Sequence, residues 1–465
     1  MKISFHGAAR SVTGSRHLIH AESSRLLLDC GMFQGRRDLA ATLNRHLGFD
    51  PKSLTAVCLS HAHIDHSGAL PVLAKEGFRG SVHMTSATAD LTKILLEDSA
   101  RIQQSDCRYV NKKERRRGPA CVTPFYSIED VRIIGNQFRG LRYGTSTSAA
   151  PNLKVKFHDA GHILGSAGIW VKHQSRGNTT SVLFSGNLGR ANMPILRDPH
   201  PPPSCDVLII ESTYGDRLHK DDQAKRKAIA KELVTHAIQH KSKIIVPAFS
   251  VGRTQEIIMR IKELVTNGEV DPIPIFIDSP LALKATKIFL QHPECYDEET
   301  YQTFTSTGDV FAAKYINFIS TAQDSKLLNR RSGPCVIISA SGMCEGGRVV
   351  HHLKHTIEDE ANVAVLVGWQ AEHTLGRKLA EEWDTVPIFG IPTQRRAQVV
   401  RLNGYSAHAD RDDLLAYVRA ITPHPRKVFV VHGEERQSLA FAMRLKSDFP
   451  GMEVEVPRVD STHDV

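Results

Sequence analysis

The chain has 465 residues, 41% apolar and 23% charged, which excludes a disordered polypeptide and gives enough length for two or three domains with sizeable cores. A formal net charge of +9 favours a polyanionic partner. Eight scattered cysteines without a CxxC pair argue against a disulfide framework and fit a reducing, cytoplasmic setting. With no signal-peptide pattern and no apolar run of bilayer length, no membrane association is expected.

Residues 2–5, 16–20 and 25–28 read as strands, with Gly7, Gly14 and Gly31 at the turns. The third ends in Asp29, and an aspartate closing an apolar strand is costly to bury unless paired. Asp29 is therefore expected to orient a ligand histidine, the alternative being a turn aspartate before Gly31. The next apolar run, Val57-Cys-Leu-Ser, leads into His61, His63, Asp65 and His66, four candidate ligands within six residues. Strand alternation would put His61, His63 and Asp65 on one face, but His66 breaks that register, so the ligands belong to a loop past the strand end. One tetrahedral ion cannot use all four, whereas two neighbouring ions can: His61 and His63 on one, Asp65 and His66 on the other.

Residues 85–104 follow as a long helix, then the charge run Lys112-Lys-Glu-Arg-Arg-Arg117, read as a solvated loop or a phosphate contact. Residues 153–157 form a strand before His162, which sits between Gly161 and Gly165, where a third imidazole can be aimed at a metal. Residues 181–185 form another, ending near Asn187, and 206–211 a third, ending in Glu211. Strand and helix then alternate to about residue 367, interrupted by a less regular stretch at 304–329. That rhythm reads as βαβ units around a parallel sheet. Near Pro392 the rhythm changes, and His408 and His432 each stand at a strand-to-helix junction, where ligands gather in α/β sheets.

The set Asp29, His61-x-His63-x-Asp65-His66, His162 and the Asn187 position resembles the metallo-β-lactamase fold, and Glu211, His408 and His432 resemble the additional motifs of its β-CASP branch of nucleic-acid processing enzymes. Gly7-Ala-Ala-Arg, Phe33-Gln-Gly35 and Ser341-Gly-Met343 are similar to segments of two-domain bacterial members. The resemblance spans essentially the whole chain. It implies an α/β architecture: a four-layer αβ/βα sandwich made from both ends of the chain, residues 1–208 and 391–465, with a β-CASP domain inserted at 209–390 and substrate entering between the domains. It further implies one metal on His61, His63 and His162, a second on Asp65, His66 and His432, and a residue at position 187 that touches both.

Two cations lower the pKa of a shared water and neutralise the phosphoryl oxygens of an otherwise resistant phosphodiester. In that chemistry Asp65 orients the nucleophile. His408, kept in the right tautomer by Glu211, is the candidate general acid for the leaving 3′ oxygen. The expected activity is a metal-dependent endoribonuclease that leaves 5′-phosphate and 3′-hydroxyl ends. Its expected cofactors are two Zn2+, with Mn2+ as the alternative. Single-stranded RNA is the favoured partner; DNA and a homodimer are left open. Arg253 and Thr254 at one helix start, Ser341, Gly342 and Arg348 at another, and Arg377 are candidate substrate contacts. His373 stands where relatives commonly carry glycine and is not expected to bind metal. One position departs from the family pattern: Asn187 replaces an aspartate, so the second metal is expected to be held less tightly. Two alternatives follow, a catalytically weakened RNA-binding protein and a small-molecule metallo-hydrolase.

Overall fold

The computed structural model describes all residues except 36, 116–117, 176, 220–222, 369, 371 and 403–405, and the side chains of 37, 38, 119 and 223. The last two arginines of the 112–117 charge run and part of the 403–408 loop thus lie outside the described residues. The chain divides into two compact units, Met1–Leu218 with Ala407–Val465, and His219–Ser406.

The first unit holds two seven-stranded sheets. In spatial order one runs Ser461–Asp464, Lys2–Gly7, Arg16–Ala21, Ser24–Leu28, Ala56–Cys58, Ser81–Thr85 and Phe138–Leu141. The other runs Glu453–Glu455, Lys427–Val431, Val207–Glu211, Asn178–Phe184, Ala167–Ser175, Leu153–Asp159 and Ser146–Ala150. Side-chain alternation builds the layers. Ile3, Phe5, Ile19, Leu26 and Leu28 pack with Phe157, Ile169, Val182, Ile209 and Phe429 in one buried core. The alternate residues Leu18, Leu27, Val57 and Val82 pack with Leu70, Leu73 and Leu96 from helices on one outer face. On the other, Leu208, Ile210, Val428 and Val430 pack with Leu414, Val418, Phe441 and Leu445. The result is the expected four-layer sandwich, with N- and C-terminal strands in both sheets.

Val207–Glu211 pairs in parallel with Asn178–Phe184 on one side and Lys427–Val431 on the other, so Glu211 belongs to the first unit rather than to an insertion starting at 209. The insertion's other boundary also moves. Gln398–Leu402 pairs in parallel with Val363–Val367 and closes the sheet of the second unit.

That second sheet has six strands, in the order Ile316–Phe318, Ile275–Asp278, Cys335–Ser339, Lys243–Pro247, Val363–Val367 and Gln398–Leu402, and every pairing in it is parallel. The irregular stretch at 304–329 contains its edge strand Ile316–Phe318 and the helix Ala322–Arg330. The helix Gln223–His240 turns its cations toward acids of its own unit: Lys227 lies 2.9 Å from Glu263 and 2.8 Å from Glu269. Among the described residues no helix is long and apolar enough to cross a membrane, and no disulfide is formed.

Candidate metal centre

The candidate ligands come from one edge of the sandwich. Asp29 and His61 follow the parallel strands Ser24–Leu28 and Ala56–Cys58. His162, Asn187, Glu211 and His432 follow or end Leu153–Asp159, Asn178–Phe184, Val207–Glu211 and Lys427–Val431. Carboxyl ends of parallel strands carry loops whose direction the sheet fixes, which makes them good ligand platforms; the loop of His162 differs, because Leu153–Asp159 is antiparallel to both its neighbours. Asp65 and His66 lie on a single helical turn, Ile64–Ser67, rather than on an open loop. Close backbone approaches hold these loops together. A Cβ on Gly31 would lie 1.6 Å from the Asp65 carbonyl oxygen, and one on Gly189 would lie 1.9 Å from that of Gly161. Neither position can carry a side chain without displacing a ligand loop.

Two triads result. His61, His63 and His162 bring their ligand nitrogens within 4.8 Å of one another, as do the ligand atoms of Asp65, His66 and His432. In the first, His63 Nδ1 lies 3.1 Å from His61 Nε2 and 3.4 Å from His162 Nε2. In the second, His66 Nε2 lies 2.9 Å from His432 Nε2, and Asp65 Oδ2 lies 3.5 Å from His432 Nε2 and 3.8 Å from His66 Nε2. The triads adjoin, with the His61 and His66 ring centroids 4.0 Å apart.

Ligands at ~2.0–2.1 Å from a tetrahedral ion stand about 3.3–3.4 Å from one another, so this spacing and donor set fit zinc. Asn187 is 2% exposed, and its side-chain Oδ1 has no hydrogen-bond partner among the described residues. A bare buried acceptor of this kind suits a cation.

Electrostatics prepare three of these groups, His61, His432 and Asp65, for metal. Burial, followed by the neighbouring His66 and His63, holds His61 far below its ordinary pKa, and burial lowers His432. Burial opposes ionisation of Asp65, but His66 and His432 outweigh it and keep its carboxyl well below the usual range. His66 is the exception: burial is outweighed by Asp65 and Asp29, which raise it, so an arriving cation takes the place of that proton.

Asp29 sits behind the triads, fully buried, with a backbone φ of 59°. His66 Nδ1 donates to its Oδ2 at 2.7 Å, as do the hydroxyls of Ser60 at 2.9 Å and Ser15 at 3.2 Å. The Thr213 hydroxyl lies 3.2 Å from His432 Nδ1 and donates to the His432 carbonyl. The sequence alone does not single out Ser15, Ser60 or Thr213; for Ser60 and Thr213 the available signal is a hydroxyl one or two residues from His61 or Glu211, and Ser15 has no such neighbour.

His408 flanks the triads, its ring centroid 4.5 Å from that of His162 and 6.1 Å from that of His432. Its Nδ1 lies 3.1 and 3.2 Å from the two carboxylate oxygens of Glu211. Glu211 is fully buried and accepts the Leu188 N–H at 2.7 Å. Burial opposes its charge, yet His408 holds its carboxyl below the usual range.

The six candidate substrate contacts all lie in the second unit, and its arginines already have acidic partners there. Arg253 meets Glu256 at 2.5 Å and Arg377 meets Glu381 at 2.6 Å. Arg348 donates to Asp278 at 2.7 Å and to the carbonyls of Ile319 and Ser320, so it braces a sheet edge. Thr254 is buried and donates to the Phe249 carbonyl. The Ser341 carbonyl accepts the Cys344 N–H, and Gly342 lies under the Phe249 ring, with its carbonyl accepting from Gln370. His373 is in neither triad.

Residues 14–147 match the Metallo-beta-lactamase superfamily, 254–379 the Beta-Casp domain, and 393–457 the Zn-dependent metallo-hydrolase RNA specificity domain. The chain is 37% identical to Ribonuclease TTHA0252 of Thermus thermophilus over 98% of both chains. The chain belongs to the β-CASP branch of the metallo-β-lactamase superfamily. As a β-CASP protein it is a metal-dependent hydrolase of RNA. A second relative, Transcription termination factor FttA of Methanocaldococcus jannaschii, is 32% identical over 95% of this chain and 68% of its own length. A crystal structure of a protein of unknown function from Enterococcus faecalis V583 has the same fold, with a TM-score of 0.57 at 13% identity over 99% of each chain.

Proposed function

We propose that this β-CASP protein is a two-zinc endoribonuclease that cleaves single-stranded RNA to 5′-phosphate and 3′-hydroxyl products. One observation carries the reading: two adjoining ligand triads stand beside a histidine held by a buried carboxylate. When bound, the ions supply positive charge for the phosphoryl oxygens and ease deprotonation of water.

The chain's own groups do the rest. His61, His63 and His162 would hold one ion, and Asp65, His66 and His432 would hold the other. The buried Asn187 side-chain oxygen, which lacks a hydrogen-bond partner among the described residues, would be the neutral acceptor available to the pair. Asp65, kept ionised by its imidazole neighbours, accepts a hydrogen bond from the attacking water and orients it. Glu211 fixes the proton on His408 Nδ1, which leaves Nε2 to deliver a proton to the departing 3′ oxygen. Support also comes from the ribonuclease name of the Thermus relative.

A slow RNA-binding protein is the second reading. It rests on Asn187, whose amide brings no negative charge between two cations. Cleavage of end-labelled RNA, with and without chelator and beside metal quantification, separates the two. The proposal expects about two zinc per chain and internal cuts abolished by chelator. Tight RNA binding without chelator-sensitive cleavage contradicts it. A single-stranded DNA substrate in parallel tests the choice of nucleic acid.

A further inference from the structure

We infer that Ser60 is a positioning residue that carries the influence of Asp29 across to the first triad, so that one carboxylate oxygen sets the tautomer of a ligand in each metal site. The inference rests on the two-triad reading above and adds a residue and a coupling to it.

Hydrogen-bond bookkeeping decides the direction. A carboxylate accepts and cannot donate, and a serine hydroxyl has one proton to give. Asp29 Oδ2 receives the His66 Nδ1–H at 2.7 Å and the Ser60 Oγ–H at 2.9 Å, while Oδ1 receives the Ser60 backbone N–H at 2.7 Å. Ser60 Oγ also lies 3.0 Å from His61 Nδ1. With its proton committed to Asp29, Ser60 can only accept there, so His61 carries its proton on Nδ1. Its Nε2 then presents a bare lone pair 3.1 Å from His63 Nδ1, inside the first triad.

The same Asp29 oxygen keeps a proton of His66 on Nδ1, so Nε2, 2.9 Å from His432 Nε2, is the nitrogen given to the second triad. The relay is sealed, since Asp29, Ser60, His61 and His66 are each at most 1% exposed and water cannot replace a missing link. The backbone fastens the serine as well: its carbonyl accepts the Ala167 N–H at 2.8 Å. The Ser15 hydroxyl donates to the same Asp29 oxygen at 3.2 Å and bonds no triad side chain, while the Ser15 backbone N–H to the Asp65 carbonyl at 2.8 Å survives in alanine, which makes Ser15→Ala a control for loss of a donor without loss of the relay.

The relay therefore separates the two sites by mutation. Ser60→Ala removes the acceptor that pins His61 and leaves the His66–Asp29 bond in place. Orienting partners of metal ligands are worth about 10–100-fold in affinity. Metal-free protein titrated with Co2+ and followed by visible absorption reports each equivalent separately, without reference to activity.

In Ser60→Ala one of the two equivalents weakens by about ten-fold or more and the other holds within about two-fold. In Ser15→Ala neither equivalent is singled out. Equal affinities for both equivalents in Ser60→Ala and wild type, or equal weakening of both, overturn the relay while leaving the two-triad reading standing. Wild-type protein that takes up no Co2+ removes that reading and the relay with it. A measurement on wild type does not depend on the variant folding: nitrogen-15 histidine spectra of the metal-free protein are expected to show His61 protonated on Nδ1, and protonation on Nε2 instead overturns the inference.

Discussion

Replacing Glu211 with glutamine tests the acid side of the chemistry with little change of shape. The carboxylate is fully buried and accepts from His408 Nδ1 at 3.1 and 3.2 Å, from the Leu188 N–H at 2.7 Å and from the Thr213 N–H at 3.4 Å. The amide keeps one acceptor but loses the negative charge that faces His408 Nδ1. A hydrogen bond to a charged group is worth roughly 1.5–3 kcal/mol, about twice a neutral one. With a neutral bond retained the loss is about half of that, roughly 0.75–1.5 kcal/mol, which at 1.36 kcal/mol per decade slows the proton-transfer step by about 4–13-fold. Single-turnover cleavage of end-labelled RNA measures it, and metal analysis of the same sample is expected to stay at the wild-type value. His408→Ala sets the floor of the rate. Unchanged cleavage in Glu211→Gln, or a lost metal ion, would refute the assignment of Glu211 and His408 as an acid pair outside the metal shell.

Asn187→Asp restores a negative charge at a buried position with a bare acceptor, and is expected to tighten metal binding about ten-fold; unchanged affinity in a chelator competition removes Asn187 from the metal shell. Arg348→Ala takes a donor from Asp278, whose carboxylate is buried and also bonded to Ser325 at 2.5 Å and His352 at 2.6 Å. Urea unfolding should report a loss of roughly 2–4 kcal/mol with the RNA affinity of the folded protein unchanged, and an intact stability with weakened RNA binding would reverse the assignment. Burial pushes Asp159 up to about 7, above its ordinary value near 3.9. The folded state then binds more protons than the unfolded one across that window, so this group's share of stability is lost as pH rises from about 4 through about 7. The Tm advantage of Asp159→Asn over wild type should grow through that range and level off above it; a constant difference contradicts the sign.

Some of this was legible in the sequence because it is local. His61, His63, Asp65 and His66 are contiguous, and imidazoles at that density have little other use. His162 and His432 became readable through their places at strand ends together with the family resemblance. What stayed hidden depends on partners distant in sequence. The alternation in Gln398–Leu402 says strand, but only pairing with Val363–Val367 says which sheet. Val207–Glu211 likewise needed its two parallel neighbours. Arg348 looked like a phosphate ligand at a glycine-rich turn, because nothing near it announces Asp278, 70 positions away. Ser60 was passed over because a serine beside a histidine is common, and its value lies in reaching back to Asp29, 31 positions earlier.

The central claim is that ligands from both ends of the chain assemble a paired-metal centre, and anomalous diffraction at the zinc edge from crystals grown with zinc tests it most directly. The account predicts two peaks, each about 2.0–2.2 Å from its ligand atoms, one among His61, His63 and His162 and the other among Asp65, His66 and His432. A single peak, or density at neither triad, would contradict it.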